Sequence, residues 1–277
     1  MSSSAEGSVL LVGAGRMGGA LLKGWLAGGR DPSRIFVQEP SPPAEVAEII
    51  ARAGIVTGAP PAMNAAPDVI VLGVKPQMME VVLPGIALLA GPDTVVLSVA
   101  AGTSIPSMAR HFGPGAAIVR SMPNTPAEIG RGITALCANA NATPTQCAAC
   151  EALLKVSGET VWVGEEALID AVTAVSGSGP AYVFLLAECL TEAAKAAGLA
   201  PDLAAKLARA TVSGAGELLY RSPLDPAELR RNVTSPGGTT QAALRVLMGE
   251  SEGASPLEEL MTRAVAAAFA RARELAG

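Results

Sequence analysis

The sequence predicts an α/β protein: an N-terminal doubly wound, mostly parallel sheet followed by an all-helical C-terminal domain. Three observations predict it. Short β-branched runs alternate with helical or turn-rich stretches through the first half of the 277-residue chain. The first run ends in a glycine pattern that opens an apolar-periodic helix. Beyond about residue 165 strand signals vanish and alanine- and leucine-rich stretches take over. The domains are therefore expected at 1–164 and 165–277, with 1–7 ("MSSSAEG") a flexible leader.

The strand candidates are "SVLLVG" (8–13), "RIFVQ" (34–38), "DVIVLGV" (68–74), "DTVVLSV" (93–99) and "AAIVRSM" (116–122). Two later runs, "GITALCA" (132–138) and "ETVWVG" (159–164), extend the sheet. Continuous apolar strands separated by helices indicate a parallel sheet covered on both faces. Such sheets bind ligands at the carboxyl ends of their strands.

Gly13, Gly15 and Gly18 stand at GxGxxG spacing directly after the first strand, with Arg16 and Met17 between the last two. One glycine allows the tight turn, one lets the backbone approach a pyrophosphate, and one lets helix and strand pack closely. The helix start supplies unpaired N–H groups and partial positive charge. This is a Rossmann-like dinucleotide site. Glu39, roughly 20 residues past Gly18, stands where an acidic residue binds the ribose hydroxyls of NAD. No arginine follows closely to pair with a 2′-phosphate, and Ser41 is the only small donor nearby. On this chemistry the choice leans toward NAD. Lys75 in "VKPQ" and Asn124 in "RSMPNTP" are polar residues at strand ends, placed for nicotinamide or ribose contacts. Each reads equally as a loop residue capping a neighbouring element.

The second half is helical with two interruptions. Ser255, Pro256 and Glu258 mark a helix start for 255–275, whose apolar stripe runs from Leu257 to Phe269. Asp225, Pro226 and Glu228 repeat that start. The stretches 181–198 and 203–215 are apolar on more than one face, so a second subunit is expected against them. The interruptions are "AVSGSGPAYVF" (174–184), with Ser176, Gly177, Ser178 and Gly179, and "VTSPGGTTQAAL" (233–244). Each reads either as a plain break or as part of a small-anion site.

Composition excludes several classes. A net charge of −5 without a basic cluster argues against nucleic acid. No apolar run is seen to reach the roughly 18 residues of a membrane span. Cys147 and Cys150 form a lone CxxC, with Cys137 and Cys189 elsewhere and a single histidine, His111. That set indicates neither a disulfide framework nor a metal site and fits a cytoplasmic protein.

Five segments in order, "GAGRMGGAL", "VKPQ", "RSMPNTPAEIGRG", "DAVTAVSGSGPAY" and "NVTSPGGTTQAALRVL", resemble the pyrroline-5-carboxylate reductases over roughly residues 8–273. The resemblance implies a Rossmann domain and a helical domain that interlocks two subunits, with assembly to decamers in many members. It implies reduction of 1-pyrroline-5-carboxylate to L-proline by NADPH, with NADH as the alternative. By position, Ser235, Gly237, Gly238 and Thr239 would surround the substrate carboxylate, and Thr240 would sit beside the ring nitrogen. Ser176 and Gly179 would lie against nicotinamide and substrate, and Lys75 and Asn124 would contact the cofactor. One departure concerns an Asn common in the family near the adenosine phosphate. Its position falls at or near Pro60 in "APPAMN", and Asn64 need not replace it.

Two rivals remain on sequence. A hydroxyacid dehydrogenase of similar plan needs a lysine base, but "VFLLAECL" follows "SGSGPAY" and Lys195 comes late. A non-catalytic dinucleotide sensor has no need of the hydroxyl-rich loop.

Overall fold

Eight strands form in the computed structural model, which describes residues 7–58, 65–249 and 255–276. They are β1 (Val9–Val12), β2 (Ile35–Gln38), β3 (Val56–Thr57), β4 (Val69–Leu72), β5 (Val95–Ser98), β6 (Ala117–Met122), β7 (Gly132–Ala138) and β8 (Gly158–Trp162). Residues 1–6 of the expected leader, and 59–64 with Pro60 and Asn64, lie outside the described residues. One sheet takes the order β3-β2-β1-β4-β5-β6-β7-β8. All neighbours run parallel except β6 and β7. The order reverses between β2 and β4 on either side of β1, which is the switch point where such sheets bind ligands.

Every residue of β1, β4 and β5 is buried, because helices cover both faces. On one face Leu11, Val71 and Leu97 pack against α1 (Arg16–Ala27), α2 (Ala44–Ala53) and α5 (Pro144–Lys155). Trp25 of α1 is 2% exposed, and its indole N–H donates to the Leu153 carbonyl of α5 at 2.8 Å. On the other face Leu10, Leu72, Val96 and Ile118 meet α3 (Met79–Ala87), α4 (Ile105–Phe112) and α6 (Leu168–Val172). The alternation within each strand thus feeds two separate apolar layers.

α6 is tied to the sheet by charge as well. The Arg120 side chain of β6 is 4% exposed, with Nη1 at 2.8 Å from Glu166 Oε1 and Nη2 at 3.6 Å from Asp170 Oδ1. Glu166 Oε1 also accepts the Ile105 N–H at 2.7 Å, which joins the start of α4 to the same knot. Removing one partner of a buried pair leaves the other charge without compensation. Glu166→Leu is expected to cost about 2 kcal/mol, below the usual figure because Asp170 still faces the guanidinium. A urea unfolding midpoint checks this; an unchanged midpoint would mean that solvent already carries the Arg120 charge.

The remaining helices are α7 (Gly179–Ala196), α8 (Pro201–Arg221), α9 (Pro226–Asn232), α10 (Thr239–Met248) and α11 (Pro256–Ala276). The chain divides into two compact units: residues up to Gly177 together with those from Phe269 onward, and Ser178–Ala268. The expected helix starts are present. Asp225 Oδ1 accepts the Glu228 N–H at 2.8 Å, and Ser255 Oγ accepts the Glu258 N–H at 3.1 Å.

Two expectations need correction. "AVSGSGP" does not break the helical run: Thr173–Gly177 form a π-helical turn between α6 and α7, and Pro180 sits in the first turn of α7, where its missing N–H costs nothing. As a result Leu168–Ala196 is one helical run, long and apolar enough to cross a membrane by length and composition. Reading a break there hid that length.

The second unit cannot be stable on its own core. Among its described residues only Ala204 and Ala208 are buried, while Phe184, Leu185 and Leu186 of α7 are each more than half exposed. An apolar face of this size requires a covering surface.

Candidate active site

The glycine loop between β1 and α1 has the geometry that a dinucleotide needs. Gly13 has φ +90°, and a Cβ there would press into the backbone of Gly73 and Val74 after β4. A Cβ on Gly18 would collide with the Gly13 carbonyl oxygen. Gly15 faces open space and caps α1 without a side-chain bond. The first-turn N–H groups of α1, including those of Arg16 and Met17, precede the helix's own hydrogen-bond ladder. With open space around Gly15, these N–H groups suit a pyrophosphate. Loop and helix start therefore fit the phosphate end of a dinucleotide.

Glu39 joins this loop directly. Its Oε2 accepts the Ala14 N–H at 3.2 Å and its Oε1 accepts the Ser41 N–H at 3.0 Å. Gly13 N–H donates to the Gln38 carbonyl at 3.0 Å, which locks the loop to the end of β2. Arg16 points elsewhere. Its guanidinium pairs with Glu128 at 3.0 Å while 84% exposed. Met17 packs against the α1 core layer.

Lys75 is exposed at the start of a short 3-10 turn, Pro76–Met78, beyond β4. Past the carboxyl ends of β4, β5 and β6 a cavity of about 160 Å³ is walled by Gln77, Gly102, Arg120 and Thr173. Asn124 is committed to the protein. Its Nδ2 donates to the Ser176 carbonyl at 3.2 Å and its Oδ1 accepts the Ile133 N–H at 3.0 Å. Asn124 and Ser176, far apart in sequence, are thus brought together by β6, β7 and the π turn. The Ser176 hydroxyl itself donates back to the Val172 carbonyl at 3.1 Å. Gly177 lies so close to Met122 that a Cβ would meet its methyl group.

The loop 233–238 lies in the second unit, between α9 and α10. Gly237 has φ +71°, a left-handed conformation suited to glycine. Two of the donors expected to face a carboxylate are engaged within the protein: Gly237 N–H donates to Gln241 Oε1 at 2.7 Å, and Gly238 N–H to the Ser235 carbonyl at 3.1 Å. This tight turn aims the chain into α10, which Gly238 caps without a side-chain bond. The Thr239 and Thr240 N–H groups open α10 and stand ahead of its ladder, in a segment that also carries the hydroxyls of Ser235, Thr239 and Thr240. That arrangement suits an anion.

Sequence reasoning missed Gln241, whose spacing of one helical turn from Gly237 was its only signal, and the Arg120–Glu166–Asp170 knot. Burial raises the thiol pKa of Cys147, and of Cys150 further with Cys147 beside it, which opposes thiolate formation. Among the described residues no group of three His, Cys, Asp or Glu side chains could hold a metal.

Residues 166–275 match a family model described as pyrroline-5-carboxylate reductase dimerisation, and residues 8–102 match one described as NADP oxidoreductase, coenzyme F420-dependent. A pyrroline-5-carboxylate reductase of Pseudomonas aeruginosa is 40% identical over 97% of this chain and 96% of its own. The chain belongs to the pyrroline-5-carboxylate reductase family. The Escherichia coli relative of that name is 36% identical over 92% of this chain and 95% of its own. A solved family structure from Coxiella burnetii superposes with a TM-score of 0.88 at 35% identity, covering 98% of this chain and 99% of that one. Another, from Plasmodium falciparum with NADP bound, gives 0.77 at 27% identity over 98% of each chain. The dimerisation match includes the apolar faces of α7 and α8 and supports homo-oligomerisation.

Proposed function

We propose that the protein reduces 1-pyrroline-5-carboxylate to L-proline with NADPH or NADH. The observation that carries the reading is the uncapped start of α10 behind the Ser235–Gly238 turn, in a chain that also holds a dinucleotide loop. A reduced nicotinamide supplies a hydride to the ring carbon of the C=N bond, and the nitrogen ends with a proton.

Ser235, Thr239 and the opening N–H groups of α10 hold the substrate carboxylate, with Gly237 and Gly238 shaping the turn that aims them. Thr240 donates to or orients the ring nitrogen. No strong acid stands in this loop, and His111, the only histidine, is on α4 at 3.3 Å from Glu80. A cyclic imine can arrive protonated, so positioning and charge placement supply most of the rate. The loops at Gly13–Gly18, Glu39–Ser41 and Lys75 hold the cofactor, and the pair Asn124–Ser176 shapes its nicotinamide end.

The functional division is 1–164 for cofactor binding and 165–277 for substrate binding and dimerisation. The exposed faces of α7 and α8 support a homodimer, which assembles further toward a decamer. Free thiols at Cys137, Cys147, Cys150 and Cys189 support a cytoplasmic address. Steady-state assays with pyrroline-5-carboxylate, run separately with NADPH and NADH, test the reading. Oxidation of either nucleotide with formation of proline is the expected result; binding without oxidation would leave a dinucleotide sensor in its place.

A further inference from the structure

We infer that Glu39 makes this reductase select NADH over NADPH, a selectivity that rests on the reductase reading above. The carboxylate is held at the mouth of the glycine loop by two backbone donors, one on each oxygen. A carboxylate oxygen that accepts one N–H keeps further lone-pair capacity. Glu39 can therefore accept from a ribose diol, which has protons to donate. A 2′-phosphate near neutral pH carries about −1.5 to −2 charge and chiefly accepts, so the same site repels it.

Among the described residues, the basic side chains nearest in sequence are paired or placed elsewhere. From Glu39 through Ala47 the sequence contains no Lys or Arg. The first turn of α2 adds a second acid, Glu45, which pairs with Lys23. Arg16, the cation nearest the glycines in sequence, is paired with Glu128 of the turn after β6. Arg34 precedes β2 and Arg52 ends α2, so each lies at the far end of its element from the β2–α2 turn. The hydrogen bond from Ala14 N–H to Glu39 also makes the acid part of the loop, where a 2′-phosphate would have to meet it.

Equilibrium titrations of NADH and NADPH, followed by nucleotide fluorescence, read the selectivity without turnover. Wild-type protein is expected to bind NADH at least about tenfold more tightly than NADPH, given like charges brought close at a partly buried site. Glu39→Gln keeps the shape and is expected to close most of that gap. Equal or tighter NADPH binding by the wild type would overturn the inference, as would an unchanged ratio in a folded Glu39→Gln. If that variant fails to fold, Ser41→Arg serves instead, with a shift toward NADPH expected and an unchanged ratio counting against. Steady-state turnover in parallel keeps the two readings apart. Selective NADH binding with no reduction of pyrroline-5-carboxylate would remove the reductase and leave the selectivity standing.

Discussion

Gly18→Ala is expected to cost about 3 kcal/mol of stability and to abolish measurable dinucleotide binding. The new methyl would lie inside contact distance of the Gly13 carbonyl oxygen, and its nearest neighbours include the Gly13 carbonyl carbon at 3.1 Å. Both are backbone atoms of the loop, so no side-chain rotamer can yield. Gly13 in turn is pressed against Gly73 and Val74, and Gly73 N–H donates to the Val12 carbonyl at 2.7 Å. Loop and strand ends are therefore fixed from both sides, and the strain must be relieved by moving α1 outward. That shift takes Leu21, Leu22 and Trp25 out of their packed layer and moves the N–H groups that face the pyrophosphate. Thermal unfolding and an NADH titration on the same preparation check both parts. Wild-type stability with wild-type binding would show that α1 tolerates the displacement and that the close approach has no role.

The centre of the sheet was legible because β1 and β4 are wholly apolar and β5 nearly so. "GITALCA" coincides with β7, and the runs around β1, β4 and β5 contain those strands with a residue or two to spare. β3 escaped because both its residues, Val56 and Thr57, are exposed and leave no burial pattern. The antiparallel step from β6 to β7 was present in chain length: the link from Met122 to Gly132 is shorter than the dozen residues of a parallel crossover. The π turn misled because serine and glycine signal breaks by composition, whereas here they continue a helix with one wider turn. Arg120 and its carboxylates were invisible for another reason. A charge pair separated by 46 residues leaves no periodicity, and only folding brings it under cover. Cofactor residues, by contrast, announce themselves through backbone demands such as those at Gly13 and Gly18, which few other residues can meet.

Thr240→Val is expected to lower kcat about a hundredfold while leaving the NADH dissociation constant unchanged. Valine matches threonine in shape and removes the hydroxyl alone. The backbone N–H of residue 240 stays at the start of α10, so the anion donors of that helix end survive. KM should therefore change much less than kcat, the pattern of an interaction made chiefly in the transition state. Thr240→Ser restores a hydroxyl at the same helical position and should recover most of the rate. The cofactor loops, on residues 13–18 and 39–41, belong to the other compact unit, so unchanged nucleotide binding separates loss of chemistry from loss of fold. If Thr240→Val turns over like the wild type, the hydroxyl has no part in the reaction. Catalysis would then rest on a substrate that enters already protonated and on the backbone that fixes its carboxylate, and the uncapped helix start would account for the chemistry without help from any side-chain donor.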